Sequence, residues 1–431
     1  MDAEIKKDEY KKSRVLYIIE AAIEYFISIA VGTVYLAKLT EHIGMSDSLT
    51  GVLTSFVSLG CGFQIIAIFL SNKKPVKSWV TILHIISQIM FACLYFVPLF
   101  DFSPIVKTIL FILMLLIAQI VHNAINSPKI NWFMSLVEDK KRGSFTANKE
   151  IISLISGMAF SYLIGFMIDY YEARGEIKIA FTLGGITLFA LMVLHSLTLI
   201  FSKEKKEEEP REKAPVSIEL KNLFKNKTLF KVILIPVLWN VASCTTLPFM
   251  GTYQTKQLGF LTTYSSIIIM IGSLVRAISS RPMGKFADKF SFSNMLLICF
   301  SCEAIAFGVA TFIMPSNGKI LYVIYYLIYM IGMSGINSSL INLIYDYVDT
   351  SQRTSTLALM QTFSGIAGFL TTLVMSVIVD IIQKNGNQIL GETIYPQQLL
   401  AFISFIIVIC LIVYMLLVVK RIQRNKIGLQ K

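Results

Sequence analysis

Two carboxylates in the first apolar segment have the residue type and the spacing that chemistry requires. Glu20 and Glu24 lie four positions apart, so a helix places both on one face. If this segment crosses a bilayer, an ionised carboxylate in it is costly and normally faces a cavity or a partner. Such a group can bind and release a proton, and Glu24, nearer the middle of the segment, is the first candidate for proton coupling, with Glu20 second. A fixed structural ion pair is the alternative for Glu24, and a structural or gating role is the alternative for Glu20.

A stripe of polar residues marks the fourth apolar segment. Gln119, His122, Asn123 and Asn126 follow the spacing i, i+3, i+4 and i+7, which puts them on one face of a helix. In lipid such a face must contact protein or water. We predict that these residues bind a solute, and that His122 either binds it or relays a proton. Hydrogen bonding between packed helices is the alternative, because small polar groups also serve that purpose.

Polar residues in three later segments are further candidates for solute binding. Asn240 lies in the seventh segment between Pro236 and Pro248, which remove backbone hydrogen bonds and allow a bend. Asn337 lies in the tenth segment and Gln361 in the eleventh. We predict that all three amides face the same solute, with helix packing again as the alternative.

Charged residues also occur inside the eighth and ninth segments. Arg276 and Glu303 are predicted to form an intramembrane charge pair. Contact with the solute or a part in ion coupling is the alternative for Arg276. His84 and His195, in the third and sixth segments, are assigned structural roles.

Composition defines the elements that must position these residues. The chain has 431 residues, of which 55% are hydrophobic and 15% charged, with a mean hydropathy of +0.67. A soluble domain carries about 25% charged residues, so a soluble enzyme and a disordered chain are both excluded. No phosphate-binding loop, catalytic-serine motif or zinc-helix motif occurs, and the CxxC spacing of Cys299 and Cys302 has no second pair. We therefore expect no enzymatic activity, no cofactor and no metal.

Twelve apolar segments, called spans 1 to 12 below, divide the chain. With both termini in the cytoplasm, and with residues at a span edge counted on the adjoining side, 31 of the 39 Lys and Arg residues fall inside, seven fall outside and only Arg276 lies well within a span. This bias sets the orientation in the cell membrane. It also argues against nucleic acid as a partner, because the charges lie in short loops between apolar segments. The predicted spans are 15–38, 47–70, 79–98, 104–128, 150–170, 178–201, 230–251, 261–281, 294–314, 319–343, 355–382 and 397–419.

A charged segment separates six spans from six. We predict an N-terminal bundle over 1–201, a cytoplasmic linker over 202–229 and a C-terminal bundle over 230–431. The part of the linker from Ser217 to Lys227 places apolar side chains among polar ones. It is either a helix on the membrane surface or a plain tether.

The two halves are related by a repeat. Shifting the chain by 211 residues aligns 124–169 with 335–380 and gives 13 identities in 46 positions, against roughly three or four expected from the composition. Both copies run in the same direction, and parallel six-span halves are typical of transporters with a site between the halves. The matched pairs include Asn126 with Asn337, Arg142 with Arg353 and Asp169 with Asp380.

Local motifs indicate a known family. The segment Gly284-Lys-Phe-Ala-Asp288-Lys289 after span 8 resembles the GxxxD[RK] loop of the major facilitator superfamily, and 136–143 after span 4 resembles its acidic-then-RG loop. The loop after span 2 lacks both Gly and Asp, so the N-terminal half departs from the pattern. The resemblance implies an all-α membrane fold of twelve helices in two parallel-repeat six-helix bundles, with spans 1, 4, 7 and 10 around a central cavity.

The resemblance also implies a gate at the cytoplasmic side. Asp288 can pair there with a cation at a neighbouring helix start, and Arg353, at the start of span 11, is the candidate because the family places a basic residue there. Gly284 belongs to the same motif. Arg142 is the equivalent cation of the N-terminal half, where the departing loop leaves its partner unknown. A solvated charge that only orients the chain is the alternative for Asp288.

These features predict a secondary active transporter that moves a small organic solute across the cytoplasmic membrane by alternating access, driven by a proton or other cation gradient. The expected partners are membrane lipid, the solute and the coupling ion, and we expect a monomer. A drug or metabolite efflux antiporter is an alternative, although span 5 lacks the Gly-Pro pattern of the superfamily's drug–proton antiporters. The alternative from a different class is a non-transporting lipid scramblase or membrane sensor, in which the polar stripes only pack helices.

Overall fold

Helices make up nearly all of the secondary structure. The computed structural model describes residues 9–66, 75–138, 142–205, 223–348, 352–389 and 391–422. Within these ranges, 11 helices are long and apolar enough to cross a membrane, and a twelfth crossing is formed by two helices that meet at a bend of 43°. The protein is therefore an all-α, multi-pass membrane protein. A two-stranded antiparallel hairpin, β1 (Gln388–Ile389) and β2 (Glu392–Thr393), connects spans 11 and 12.

The observed spans follow the predicted order. Span 1 is the bent pair Lys11–Ala30 and Thr33–Ile43, and span 2 contains Asp47–Thr54 and Phe56–Gly62. Span 7 continues from its main helix, Lys227–Thr246, through short irregular turns as far as Gln257. The other helices are Val76–Cys93 (span 3), Pro104–Met134 (span 4), Arg142–Glu172 (span 5), Ile177–Phe201 (span 6), Thr262–Lys289 (span 8), Phe292–Ala310 (span 9), Gly318–Tyr345 (span 10), Arg353–Lys384 (span 11) and Pro396–Tyr414 (span 12).

Several helices extend beyond the apolar segments that predict them. The apolar segment of span 4 ends at 128, but the helix continues to Met134. Span 8 continues to Lys289, so Gly284 and Asp288 lie in its last turns and their assignment to a loop is wrong. Hydropathy marks only the part of a helix that lies in hydrocarbon, whereas backbone hydrogen bonding continues where polar side chains reach the interface.

Each half of the chain packs around a core of its own. Buried apolar side chains between Ile23 and Leu188 form one cluster, and those between Leu223 and Val419 form another. Most of the predicted linker, 202–229, falls outside the described residues. The division into two bundles at that segment therefore stays a prediction.

The two halves meet closely at the end of the molecule opposite the chain termini, called the far end below. The close approach extends to the middle of spans 2 and 11, where a Cβ on Gly365 would overlap the carbonyl oxygen of Ser58, so only glycine allows the two backbones to approach this closely. At the start of span 2, Asp47 pairs with Lys256 Nζ at 2.6 Å. Asp47 also accepts a hydrogen bond from Gln383 Nε2 at 2.8 Å.

Two repeat-related aspartates add a matched pair of contacts between the halves. Asp169 of span 5 accepts hydrogen bonds from the backbone N–H groups of Thr262 and Thr263 at 2.9 and 2.6 Å, and so caps the start of span 8. Asp380 of span 11 accepts a hydrogen bond from Ser48 Oγ at 2.8 Å, in the first turn of span 2. A carboxylate at a helix N-terminus is favourable because it satisfies free N–H groups and opposes the helix dipole. Together these contacts close the far end.

Candidate functional site

A group of ionisable side chains lies inside the N-terminal half. At its centre, Lys129 Nζ of span 4 lies 2.7 Å from Glu20 Oε1 and 2.6 Å from Glu24 Oε2, both of span 1. His122 Nε2 lies 3.3 Å from the other oxygen of Glu24. One ammonium is therefore shared by two carboxylates, and Glu24 is shared by Lys129 and His122.

Two histidines extend this group beyond Glu20. His195 Nε2 of span 6 lies 2.9 Å from Glu20 Oε1, and His195 Nδ1 lies 3.0 Å from His84 Nε2 of span 3. Both imidazoles are fully buried, as is Glu20. The six residues therefore form a continuous chain of polar contacts. We call them the ionisable cluster: Glu20, Glu24, His84, His122, Lys129 and His195.

Helix periodicity explains why spans 1 and 4 bring these groups together. His122 and Lys129 lie seven residues apart, which is two helical turns and therefore the same face. Glu20 and Glu24 lie one turn apart on the facing helix. Because the two spans run in opposite directions, His122 meets Glu24 and Lys129 reaches back toward Glu20.

The ionisable cluster carries an unbalanced charge. With the histidines neutral, two carboxylates and one ammonium leave a net charge of −1. Unbalanced buried charge is costly, so binding one proton would stabilise the cluster. The side chains of Glu24 and His122 are 21% and 22% exposed, whereas those of Glu20 and Lys129 are 0% and 2% exposed. The accessible end of the cluster is therefore the Glu24–His122 pair.

The same carboxylates do not favour a metal ion. Glu20, Glu24 and His195 bring ligand-type atoms within 4.8 Å of one another. However, the Lys129 ammonium lies within 2.7 Å of both carboxylates, and its charge opposes a cation beside it. The donor set favours an internal ion pair.

Three of the predicted solute-binding amides are used in packing. Asn123 Nδ2 donates to the carbonyl oxygen of Gln119 at 2.9 Å, and both side chains are buried. Asn240 Nδ2 donates to the carbonyl oxygen of Ser364 in span 11 at 2.8 Å. In this conformation Asn240 joins spans 7 and 11, as the packing alternative predicts, whereas the bond between Asn123 and Gln119 lies within span 4.

Three other predicted amides remain available for a ligand. Asn126 and Gln361 are half-buried, and Asn337 is exposed. None of the three has a hydrogen-bond partner within the part of the chain that the structure describes. They stay candidates for solute binding.

The predicted cytoplasmic gate is not formed in this conformation. Asp288 is exposed and has no ion-pair partner among the described residues. Arg353 instead lies over the ring of Tyr345, with its Cζ 4.6 Å from the ring centroid. The open space around Gly284 shows that span 8 packs against nothing at that point within the described residues. Arg142 begins the helix of span 5, but its side chain lies outside the described part.

The predicted charge pair of spans 8 and 9 is also not formed. Glu303 is fully buried, and neither carboxylate oxygen has a hydrogen-bond partner within the described ranges. Its Oε1 lies against Gly332 of span 10.

Sequence reasoning missed three members of the ionisable cluster. Assigning Lys129 to a cytoplasmic loop is wrong, because span 4 continues past it and the side chain is buried. The spacing of seven between His122 and Lys129 is the signal that could have placed it on the same face. His84 and His195 carry no such signal, since their contact with Glu20 depends on how spans 3 and 6 pack.

Comparison with known proteins identifies the family. The model of the Major Facilitator Superfamily matches residues 16–372. That range is most of the chain, and the protein therefore belongs to the major facilitator superfamily. A search of curated proteins finds no significant match.

Solved structures share the fold at low sequence identity. A mutant of the nucleoside transporter NupG is 15% identical, with a TM-score of 0.71 over 94% of this chain and 99% of its own. A D-xylose–proton symporter is 15% identical, with a TM-score of 0.69 over 94% and 97%. A bacterial homologue of the iron transporter ferroportin, in an inward-facing state, is 13% identical, with a TM-score of 0.68 over 94% and 97%. Family and fold together support a transport function.

Proposed function

We propose that this protein is a proton-coupled secondary transporter of a small organic solute, and that the ionisable cluster carries the coupling proton. The main support for this assignment is the charge and the accessibility of the cluster. With its histidines neutral, the buried cluster has a net charge of −1 and its accessible end at Glu24 and His122, so it can accept one proton from water at that end. In the orientation that the positive charges favour, both termini lie in the cytoplasm and the membrane is the cytoplasmic membrane.

Protonation would change the pairing of Lys129. A proton on Glu24 removes the charge that attracts Lys129 Nζ at 2.6 Å, while Glu20 at 2.7 Å keeps the ammonium paired. Spans 1 and 4 can then separate at the level of Glu24 without leaving an isolated buried cation. In this mechanism spans 1 and 4 stay together when Glu24 is ionised and can separate when Glu24 is protonated. Proton binding is thereby linked to alternating access.

The solute would bind between the two halves. Asn126, Asn337 and Gln361 supply unpaired amides on spans 4, 10 and 11. The contacts at the far end close one side, and the predicted Asp288–Arg353 gate on the side of the termini, which is the cytoplasm in the proposed orientation, is not formed.

Proton movement in proteoliposomes tests the proposal. A pH-sensitive dye is sealed inside the vesicles, and pools of sugars, amino acids, nucleosides, organic acids and cationic drugs are added outside. We expect one pool to change the internal pH, and its sign, together with the orientation of the protein, separates symport from antiport.

Glu24→Gln tests the coupling residue itself. The variant should lose accumulation of solute against a gradient but keep exchange of labelled for unlabelled solute. Glu41→Gln is the matched control, because Glu41 also lies in span 1 but its side chain is 37% exposed and outside the cluster. If the Glu24→Gln variant still concentrates solute against a gradient, Glu24 is not the coupling residue.

A static ion-pair lock is the second interpretation. The complete burial of Glu20, His84 and His195 favours it, because a proton reaches those groups only through the protein. The protein would then be a non-transporting member of the fold, such as a lipid scramblase or a sensor. No solute pool would change the internal pH, and lipid scrambling is measured in the same vesicles.

A further inference from the structure

Arg276 is a cation inside span 8 that lacks a counter-ion in the described chain. It is half-buried, and neither Glu303 nor any other described carboxylate pairs with it. A guanidinium within a membrane-spanning segment is costly unless it faces a partner or a water-filled cavity. The structure therefore leaves a position for an anion beside Arg276.

The side chain of Arg276 does not face lipid. The lipid-facing side of span 8 is marked by Ile271, Leu274 and Ile278, which are 39%, 45% and 72% exposed. At about 100° per residue, Arg276 lies on the opposite side of the helix from the mean direction of these three. It therefore faces the protein interior.

Neighbouring residues show which part of the interior Arg276 faces. One turn before it, Gly272 lies directly under the ring of Tyr326 in span 10, where a Cβ would overlap. One turn after it, Ser280 Oγ lies 3.5 Å from the carbonyl oxygen of Ser334 in the same span. Arg276 thus lies on the side of span 8 that faces span 10.

Span 8 also contacts the N-terminal half of the protein. Ser266 Oγ of span 8 lies 2.8 Å from the hydroxyl oxygen of Tyr35 in span 1, and a Cβ on Gly165 of span 5 would overlap the same Ser266 Oγ. Span 8 therefore packs against span 10 of its own half and against spans 1 and 5 of the other half. Arg276 lies on the inward side of a helix that borders both halves.

We infer that Arg276 binds the carboxylate of the transported solute, whose chemical class is a small organic carboxylate. A guanidinium pairs with a carboxylate through two parallel hydrogen bonds. One positive charge matches one carboxylate. A phosphate ester carries a charge of about −2 and would need a second cation, but the Lys129 ammonium is already held by Glu20 and Glu24. This inference rests on the proposed transport function and specifies its substrate.

Matched pairs of carboxylates and amides test the inference in proteoliposomes. The probes are benzoate, lactate and leucine, each compared with its neutral or cationic amide. Wild-type protein should move protons with at least one carboxylate and not with its amide. Arg276→Gln should weaken the response to that carboxylate by about 10- to 100-fold, and Arg276→Lys should restore part of it. Arg281→Gln is the control, because Arg281 is an exposed cation of the same helix.

Chemical modification gives a second readout that needs no variant. Phenylglyoxal modifies accessible arginines, and mass spectrometry identifies them. The active carboxylate should protect Arg276 and not Arg281. The inference is overturned if no carboxylate probe protects Arg276, if an amide is transported equally well, or if Arg276→Gln responds as wild type does.

The outcomes separate this inference from the proposed function. Proton movement driven by a sugar or a cation and unaffected by Arg276→Gln would overturn the carboxylate assignment and leave proton coupling intact. Carboxylate exchange that depends on Arg276 but never moves protons would overturn proton coupling and leave the carboxylate assignment intact.

Discussion

Replacing Lys129 tests whether its ammonium holds the ionisable cluster together. Lys129→Met keeps most of the side-chain volume and removes the charge between Glu20 and Glu24. The two nitrogen–oxygen distances are 2.7 and 2.6 Å, and at an effective dielectric constant of about 20 each corresponds to about 6 kcal/mol of attraction. Desolvation of the ions offsets much of this, and protonation of the carboxylates limits the loss further. We expect the free energy of unfolding to fall by about 3–5 kcal/mol, as for other buried pairs that lose one partner.

The measurement is an SDS titration in mixed micelles, followed by circular dichroism. Lys107→Met is the control, because it makes the same change in the same span, where Lys107 Nζ donates only to the carbonyl oxygen of Pro98 at 3.1 Å. The control should lose about 0.5–1.5 kcal/mol. Adding Glu20→Gln to Lys129→Met should recover about 1–2 kcal/mol, because it removes one of the two unpaired charges. The reasoning is refuted if Lys129→Met costs no more than Lys107→Met, or if the double variant recovers nothing.

The remaining predictions concern opening and closing. Gly365→Ala places a methyl group against the backbone of span 2 and should disfavour the close approach of spans 2 and 11 by about 1–3 kcal/mol. The expected readout is a longer distance between spin labels on these two spans. Gly284→Ala, with no atom within 4 Å, should leave that distance unchanged. Asp169→Asn weakens the cap on the start of span 8. It should increase thiol labelling of cysteines introduced at the far end. Labelling equal to that of the wild type would show that the cap does not hold the far end closed. Asp288→Asn should shift the protein toward the inward-open conformation, because the predicted pair with Arg353 forms only when the cytoplasmic side closes. Unchanged cysteine accessibility at the cytoplasmic face would contradict the gate.

The spans could be predicted from the sequence because their signal is local. About 20 consecutive apolar residues are enough to cross a bilayer, whatever surrounds them. The ends of the helices carry no such signal, since hydrogen bonding continues past the apolar segment. Hydropathy therefore predicts that Lys129 lies in a loop and that Asp288 follows span 8, whereas each residue belongs to the helix itself.

The candidate site could be predicted only where one helix defines it. Glu20 and Glu24 share a face of span 1, and this spacing is visible in the sequence. The contact of Glu20 with His195, by contrast, requires spans 1 and 6 to pack side by side. Arg276 and Glu303 lie on adjacent spans in the sequence, but the carboxylate oxygens of Glu303 have no hydrogen-bond partner among the described residues. Proximity along the chain did not predict contact there.

Asp169 and Asp380 occupy the same position in the two copies of the repeat, and each holds the opposite half. Their contacts lie on separate helix pairs, spans 5 and 8 in one case and spans 11 and 2 in the other. Each of these two contacts can therefore be weakened without changing the other. The equilibrium between open and closed far ends can be shifted at either position separately. Neither aspartate belongs to the ionisable cluster or contacts Arg276. Turnover rate could thus be tuned at these two positions, by evolution or by an engineer, without altering what the protein carries.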